Sequence, residues 1–287
     1  MKITRFAFVA VAVSAALLAA PTDASAKVIA GNFCSVAQIV DFPAGVNETP
    51  WWNDLTDPAG FGANEAYDPP AKIEGTNPDF KYSDLSDVPD GVSVEWDAAG
   101  GSQNTNDDVV RPTDVPTGHD QLFAGYLQSS LAQSGPLIQL YGAGMDTAFT
   151  GPIDIYLYFD GDEDVEGTGK GTFELYATKQ DYLDGFNPLQ TYYGRDDGSD
   201  FPDSTHTGGP GTLADYEQIT STDPLNPTVG NYVVFSGVTT DTFYVRIVGQ
   251  AGNQGAALNG FEIVPEPTTM ALLGLGGFGA FIRRRRA

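Results

Sequence analysis

The chain reads as an all-β protein. The expected architecture is a jelly-roll-like antiparallel β-sandwich, carried between an N-terminal signal-peptide helix and a short C-terminal transmembrane helix. Three observations predict it. Strand-period alternation recurs along the middle of the chain, while helical periodicity is scarce. Turn formers are dense, with 34 Gly and 19 Pro in 287 residues, and they bound most of the alternating runs. Both ends are apolar runs flanked by positive charge.

Lys2 and Arg5 open the chain, Phe6 to Ala20 is apolar apart from Ser14, and Ala24-Ser25-Ala26 supplies a small-x-small cleavage site. Residues 1–26 are therefore predicted to be a secretory signal peptide, cut after Ala26 by signal peptidase. The lone Cys34 lacks a lipoprotein context and has no partner for an internal disulfide. Residues 27–263 form the predicted ectodomain, long enough for one good core.

The strands follow in order. Lys27 to Phe33 is the first candidate. Val92, Val94 and Trp96 then alternate with polar residues, and Leu137 to Tyr141 follows. Ile153, Ile155, Leu157 and Phe159 make the strongest run. Phe173-Leu175-Ala177, Tyr232 to Phe235, Phe243-Val245-Ile247 and Leu258 to Val264 complete the set. The first and last strands are expected to pair. Asp120 to Leu131 is the one stretch with a helical apolar side, from Leu122, Tyr126 and Leu127. Thr49–Val88, Gly100–Gly118 and Gly194–Pro227 are polar and rich in Pro and Gly, and are predicted to be long surface loops.

The C-terminal 24 residues, 264–287, form a unit of their own. Pro265-Glu266-Pro267 favours an extended backbone open to a processing enzyme. Met270 to Ile282 is apolar but contains four glycines. As a helix it spans about 20 Å, short of a bilayer core of about 30 Å. Arg283, Arg284, Arg285 and Arg286 end it and should stay on the cytoplasmic side. This arrangement resembles a PEP-CTERM sorting signal. The resemblance implies recognition by an exosortase-type enzyme, transient anchoring in the inner membrane, and delivery to the envelope or medium. The alternative is a permanent short anchor. Pieces of the body, among them Trp52-Asn53-Asp54-Leu55, Ile153 to Asp162 and Asn259 to Val264, resemble PEP-CTERM proteins with an uncharacterised β-sandwich ectodomain. That resemblance implies one sandwich domain and no activity.

Charge excludes some partners. Six of the fourteen basic residues and two of the thirty-eight acidic ones lie in the two end segments. The ectodomain thus holds eight basic and thirty-six acidic residues, a formal charge of −28. Such a surface repels nucleic acid and anionic lipid.

Candidate chemistry is sparse. Asp160, Asp162 and Asp164 follow the strongest strand and place oxygen ligands two apart, as a Ca²⁺ site would. The spacing departs from an EF-hand loop at Val165 and Gly171, and the alternative is a solvated hairpin connection. Carboxylates packed in one turn do not flank a cleft, which argues against a glycosidase. Trp51 and Trp52 lie in a polar loop, and Tyr156, Tyr158, Tyr176 and Tyr244 are assigned to the less buried strand face. Aromatic rings so placed could stack on sugars, and cross-strand packing is the competing reading. His119 and His206 sit in loops without Gly-x-Ser-x-Gly or His-x-x-x-His, and are expected at the surface. The expectation is an exported, non-enzymatic protein with no cofactor beyond possible Ca²⁺. Its role is structural or adhesive, with exopolysaccharide as the partner the family implies and a carbohydrate-binding module as the alternative.

Overall fold

The computed structural model describes residues 27–33, 43–55, 71–77, 80–98, 102–105, 118–123, 125–128, 137–160, 170–195, 212–249 and 257–266. The signal-peptide and transmembrane-helix expectations fall outside these residues. Among the described residues no helix is long and apolar enough to cross a membrane.

The strands run β1 (Ile29–Asn32), β2 (Asn53–Asp54), β3 (Ala71–Glu74), β4 (Ser93–Ala98), β5 (Ser102–Thr105), β6 (Gly125–Gln128), β7 (Leu137–Ala143) and β8 (Ile153–Tyr158). The second half holds β9 (Lys170–Tyr176), β10 (Gln190–Arg195), β11 (Gln218–Ile219), β12 (Thr228–Val229), β13 (Tyr232–Val238), β14 (Phe243–Gly249), β15 (Ala257–Leu258) and β16 (Gly260–Pro265). Short helices α1 (Gly118–Phe123), α2 (Met145–Ala148) and α3 (Lys179–Asp184) lie between them.

Two sheets make an all-β sandwich. One has six strands in the order β11-β13-β8-β16-β1-β2, and the other has seven, β12-β10-β9-β14-β7-β4-β3. A small third sheet is β15-β6-β5. The long ladders are antiparallel, and β1 pairs with β16 as the sequence predicts. Three two-residue edge pairings, β1–β2, β10–β12 and β11–β13, are parallel. These short strands come from connecting segments, not hairpins, so no tight turn imposes antiparallel order.

Alternation explains the core. Val94, Trp96 and Ala98 of β4 point inward, and Ser93, Glu95 and Asp97 point out. Side chains from the two sheets meet at Phe159–Phe173 (4.8 Å between centroids), Tyr192–Phe235 (5.7 Å) and Phe33–Trp96 (5.6 Å). Fully burying a Phe side chain, as at Phe33, Phe173 and Phe235, stabilises by about 1.5–3 kcal/mol.

A second, smaller core covers the outer face of the six-stranded sheet. It joins Val28, Ala30 and Tyr158 of the sheet to Ala44 and Trp52 of the 43–55 segment, and to Leu122 and Phe123 of α1. The two cores and the small third sheet correct several expectations. The 49–88 stretch is not all surface loop, because Trp52, Leu55, Phe80, Tyr82 and Val88 are buried. The helix expected over Asp120–Leu131 stops at Phe123, and Gly125–Gln128 is a strand. Pairing with β5 and β15 outweighs a weak local helical pattern there.

Candidate functional site

The outer face of the seven-stranded sheet carries a polar row in register. Asp97 of β4 faces Gln139 of β7, Gln139 faces Arg246 of β14, Arg246 faces Glu174 of β9, and Glu174 faces Thr191 of β10. All five are half-buried. A second row, Glu95–Tyr141–Tyr244–Tyr176, runs beside it. Period-two geometry alone puts these residues on one face.

One end of this face is capped by α3. Thr178 caps its N-terminus by accepting from the Asp181 amide at 3.1 Å. Gly185 ends it in the left-handed region at φ 63°, where glycine is favoured. The helix lays Tyr182 over Tyr244, stacked at 5.9 Å, and edge-on to Tyr176 at 6.0 Å. Tyr182 and Tyr176 are buried by this, while Tyr141 and Tyr244 stay half-exposed, edge to face at 5.3 Å. A Cβ on Gly185 would come within 2.6 Å of Arg246 Nη1, so the guanidinium lies directly under the helix end.

The polar groups fix one another. Tyr176 Oη donates to Glu174 Oε2 at 2.8 Å, and Tyr141 Oη donates to Gln139 Oε1. Arg246 Nε lies 3.7 Å from Glu174 Oε2, an ion pair longer than a hydrogen bond. Burial, reinforced by Glu174, pushes Tyr176 up to about 12. Burial also raises Tyr141 and Tyr182. These hydroxyls therefore stay protonated near neutrality and can donate. The arrangement offers donors, acceptors and two ring surfaces on one sheet face.

The residues singled out for sugar stacking do not share such a platform. Trp51 is exposed, but Trp52 is buried between the 43–55 segment and the six-stranded sheet, with its indole N–H donating to Thr49 O at 3.1 Å. Tyr156 is half-buried and Tyr158 is fully buried. Tyr176 also departs from its expected exposed position. The strand period gives the right face for Tyr158, but the second layer covers that face. Sequence periodicity gave no sign of this cover.

The same layer hides a carboxyl that the sequence reading passed over. Glu262 of β16 is fully buried. Its Oε2 accepts from Tyr158 Oη at 2.6 Å and from Asn47 Nδ2 at 2.7 Å. Tyr158 Oη in turn accepts from the Val46 amide at 2.9 Å. Burial raises the Glu262 pKa, opposed by Thr49, Tyr158 and Asn47. Glu262 Oε1 and Thr49 Oγ1 are both buried, and neither completes a hydrogen bond of standard geometry. Gly45 sits at φ 78°, and a Cβ there would press to 2.8 Å on Glu262 Oε1. Nearby, His119 is buried with Nδ1 3.0 Å from Tyr216 Oη, in place of the expected surface site.

Asp160 is also buried, with its amide donating to Asn259 Oδ1 at 2.5 Å. Asp162 and Asp164 lie outside the described residues, as do His206, Ala24 and Ala26. Among the described residues no group of three or more His, Cys, Asp or Glu side chains is placed to hold a metal ion.

The last feature is the end of β16, the strand held between β8 and β1. Pro265 pairs with Ile153, and the Glu266 amide donates to Pro152 O at 2.9 Å. The expected Pro265-Glu266-Pro267 motif thus begins inside the sheet. Pro267 and Arg283 to Arg286 lie beyond the described residues. A family model for the PEP-CTERM protein-sorting motif matches residues 264–286. The chain carries a PEP-CTERM sorting motif. This motif implies export, C-terminal membrane anchoring, and processing by an exosortase. No curated protein matches the chain. The PEP-CTERM motif therefore addresses the protein and leaves the ectodomain to be interpreted from its own geometry.

Proposed function

We propose that this PEP-CTERM protein is a non-catalytic β-sandwich that holds polysaccharide on the outer face of its seven-stranded sheet. Its role is structural or adhesive within a polysaccharide-rich matrix outside the cell. The observation that carries this reading is the in-register row Asp97–Gln139–Arg246–Glu174–Thr191 beside Tyr141 and Tyr244. Alternating donors and acceptors suit sugar hydroxyls, and half-exposed tyrosine rings suit the apolar faces of pyranoses. The ectodomain charge of −28 favours a neutral polysaccharide over an anionic one.

The test is retention of the full chain on a panel of immobilised polysaccharides. Retention on at least one neutral polymer, weakened in Tyr244→Ala and Arg246→Ala but kept in Leu225→Ala, supports the reading. Equal retention of all three variants, or none across the panel, removes it.

A further inference from the structure

Three of the exposed large apolar side chains fall in one short stretch. Leu183, Phe186 and Leu189, at the end of α3 and in the connection to β10, are 63%, 66% and 54% exposed. Nothing in the sandwich requires them there, and water is a poor environment for them.

Their position is fixed relative to the chain's exit toward the tail. Gln190, the next residue after Leu189, donates from Nε2 to Ser236 O at 2.7 Å. Gly237 follows, and a Cβ on it would lie 3.4 Å from Glu266 Oε1. The Glu266 amide is held by Pro152 O. The apolar connection and the exit of β16 therefore share one end of the sandwich. Exposed Leu85 belongs to that end as well. Its amide donates to Tyr82 O, and the Tyr82 hydroxyl donates to Ala148 O in α2, which is tied to Asp241 through the Met145 amide.

The apolar run of the sorting signal begins at Met270. Four Cα steps separate it from Glu266, which is about 14 Å at full extension. A chain anchored by that run cannot hold this end of the sandwich farther from the bilayer. We propose that, while the tail is anchored, Leu183, Phe186 and Leu189 insert among the lipid headgroups as a second, reversible contact. Phe and Leu on a loop are suited to that depth. The partner is the bilayer that holds the tail. Exposed Asp84, Asp146, Asp184 and Asp241 at the same end favour zwitterionic over anionic lipid. The contact orients the sandwich on the membrane and is lost when the tail is removed.

The experiment uses the full chain, with Cys34→Ser, reconstituted by its tail into phosphatidylcholine vesicles. A fluorophore is placed at Phe186→Cys or, as control, at Leu213→Cys. Leu213 is also exposed but sits at the opposite end, where Asn231 Nδ2 donates to Asp215 O and the Phe159 amide donates to Asn231 O. Quenching by bromine on the upper acyl chains should be at least about threefold stronger at position 186 than at 213. Each labelled variant must melt like its parent, which both exposed positions permit. Equal quenching at the two positions overturns the proposal. So does a label at 186 that is shielded from water but insensitive to brominated lipid, which would indicate a second copy of the chain as the partner. A chain that fails to float with the vesicles overturns it too, because anchoring is its premise.

Discussion

Tyr158 and Glu262 hold each other on the covered face of the six-stranded sheet, Oη donating to Oε2 at 2.6 Å with both side chains fully buried. Burial raises the carboxyl above its ordinary value of 4.5. The folded protein therefore binds this proton more tightly than the unfolded chain does. The stability from that proton is fully present below pH 4.5 and is lost as pH rises from there through the raised folded pKa. Glu262→Gln keeps an acceptor for Tyr158 and cannot ionise. Melting temperatures measured from pH 4 to 9 should fall less steeply for the variant than for the parent. Parallel curves would mean that Glu262 is already ionised in the fold.

Tyr158→Phe removes a hydroxyl that both donates to Glu262 and accepts from the Val46 amide. The buried Glu262 carboxyl and the half-buried Val46 amide each lose a partner, and a buried group left unmade costs about 1–3 kcal/mol. Urea unfolding should show a loss of at least about 1 kcal/mol. A change within about 0.5 kcal/mol would mean that water replaces the hydroxyl.

Phe173 and Phe186 should respond in opposite ways. Phe173 lies between the sheets, 4.8 Å from Phe159, and Phe173→Ala should destabilise by about 3–5 kcal/mol. Phe186 is exposed, so Phe186→Ser should stay within about 0.5 kcal/mol of the parent. Similar effects at the two positions in denaturant titrations would contradict the sandwich packing.

On the seven-stranded face, Tyr244→Ala should weaken retention on a bound polysaccharide by about 0.5–1.5 kcal/mol, or about two- to tenfold. Trp51→Ala should leave it unchanged, because Trp51 belongs to the segment against the other sheet. Affinity electrophoresis of both variants decides between the two faces.

The mature C-terminus should lie at or beyond Glu266. A cut before Gly260 would strip out the strand that pairs with both β1 and β8. Intact mass of the protein from the envelope and the medium reads this directly. A mature form ending upstream of Gly260 would show that the sandwich survives without β16, or is rebuilt after processing.

Much of the fold was legible because its signals are local. Alternation at Val94-Trp96, Ile153-Ile155-Leu157 and Phe243-Val245-Ile247 places those residues inside, and they are buried. β10 was missed, because Gln190-Thr191-Tyr192-Tyr193 is polar and aromatic and its two faces look alike. The tyrosines there were a β-propensity signal left unread. The α3 helix was also readable, from Thr178 with Asp181 at its start and Gly185 past its end.

The candidate site was less legible. Tyr158 lies on the outer side of its sheet, as strand period implies, yet Trp52 of the 43–55 segment and Phe123 of α1 bury it. That cover joins residues more than a hundred positions apart, such as Val46 and Tyr158. Local pattern carries no information on such contacts.

By itself the sequence determined the address and the fold class. A sorting motif is a linear string read in an extended chain, and alternation is a property of one strand at a time. Only the tertiary structure decided which outer face stays open. It buried Glu262 and Tyr158 under a second layer and left Tyr141, Tyr244 and Arg246 on a half-open sheet. Which sheet face a connecting segment covers depends on the packing of distant residues, and that balance exists only in the folded chain.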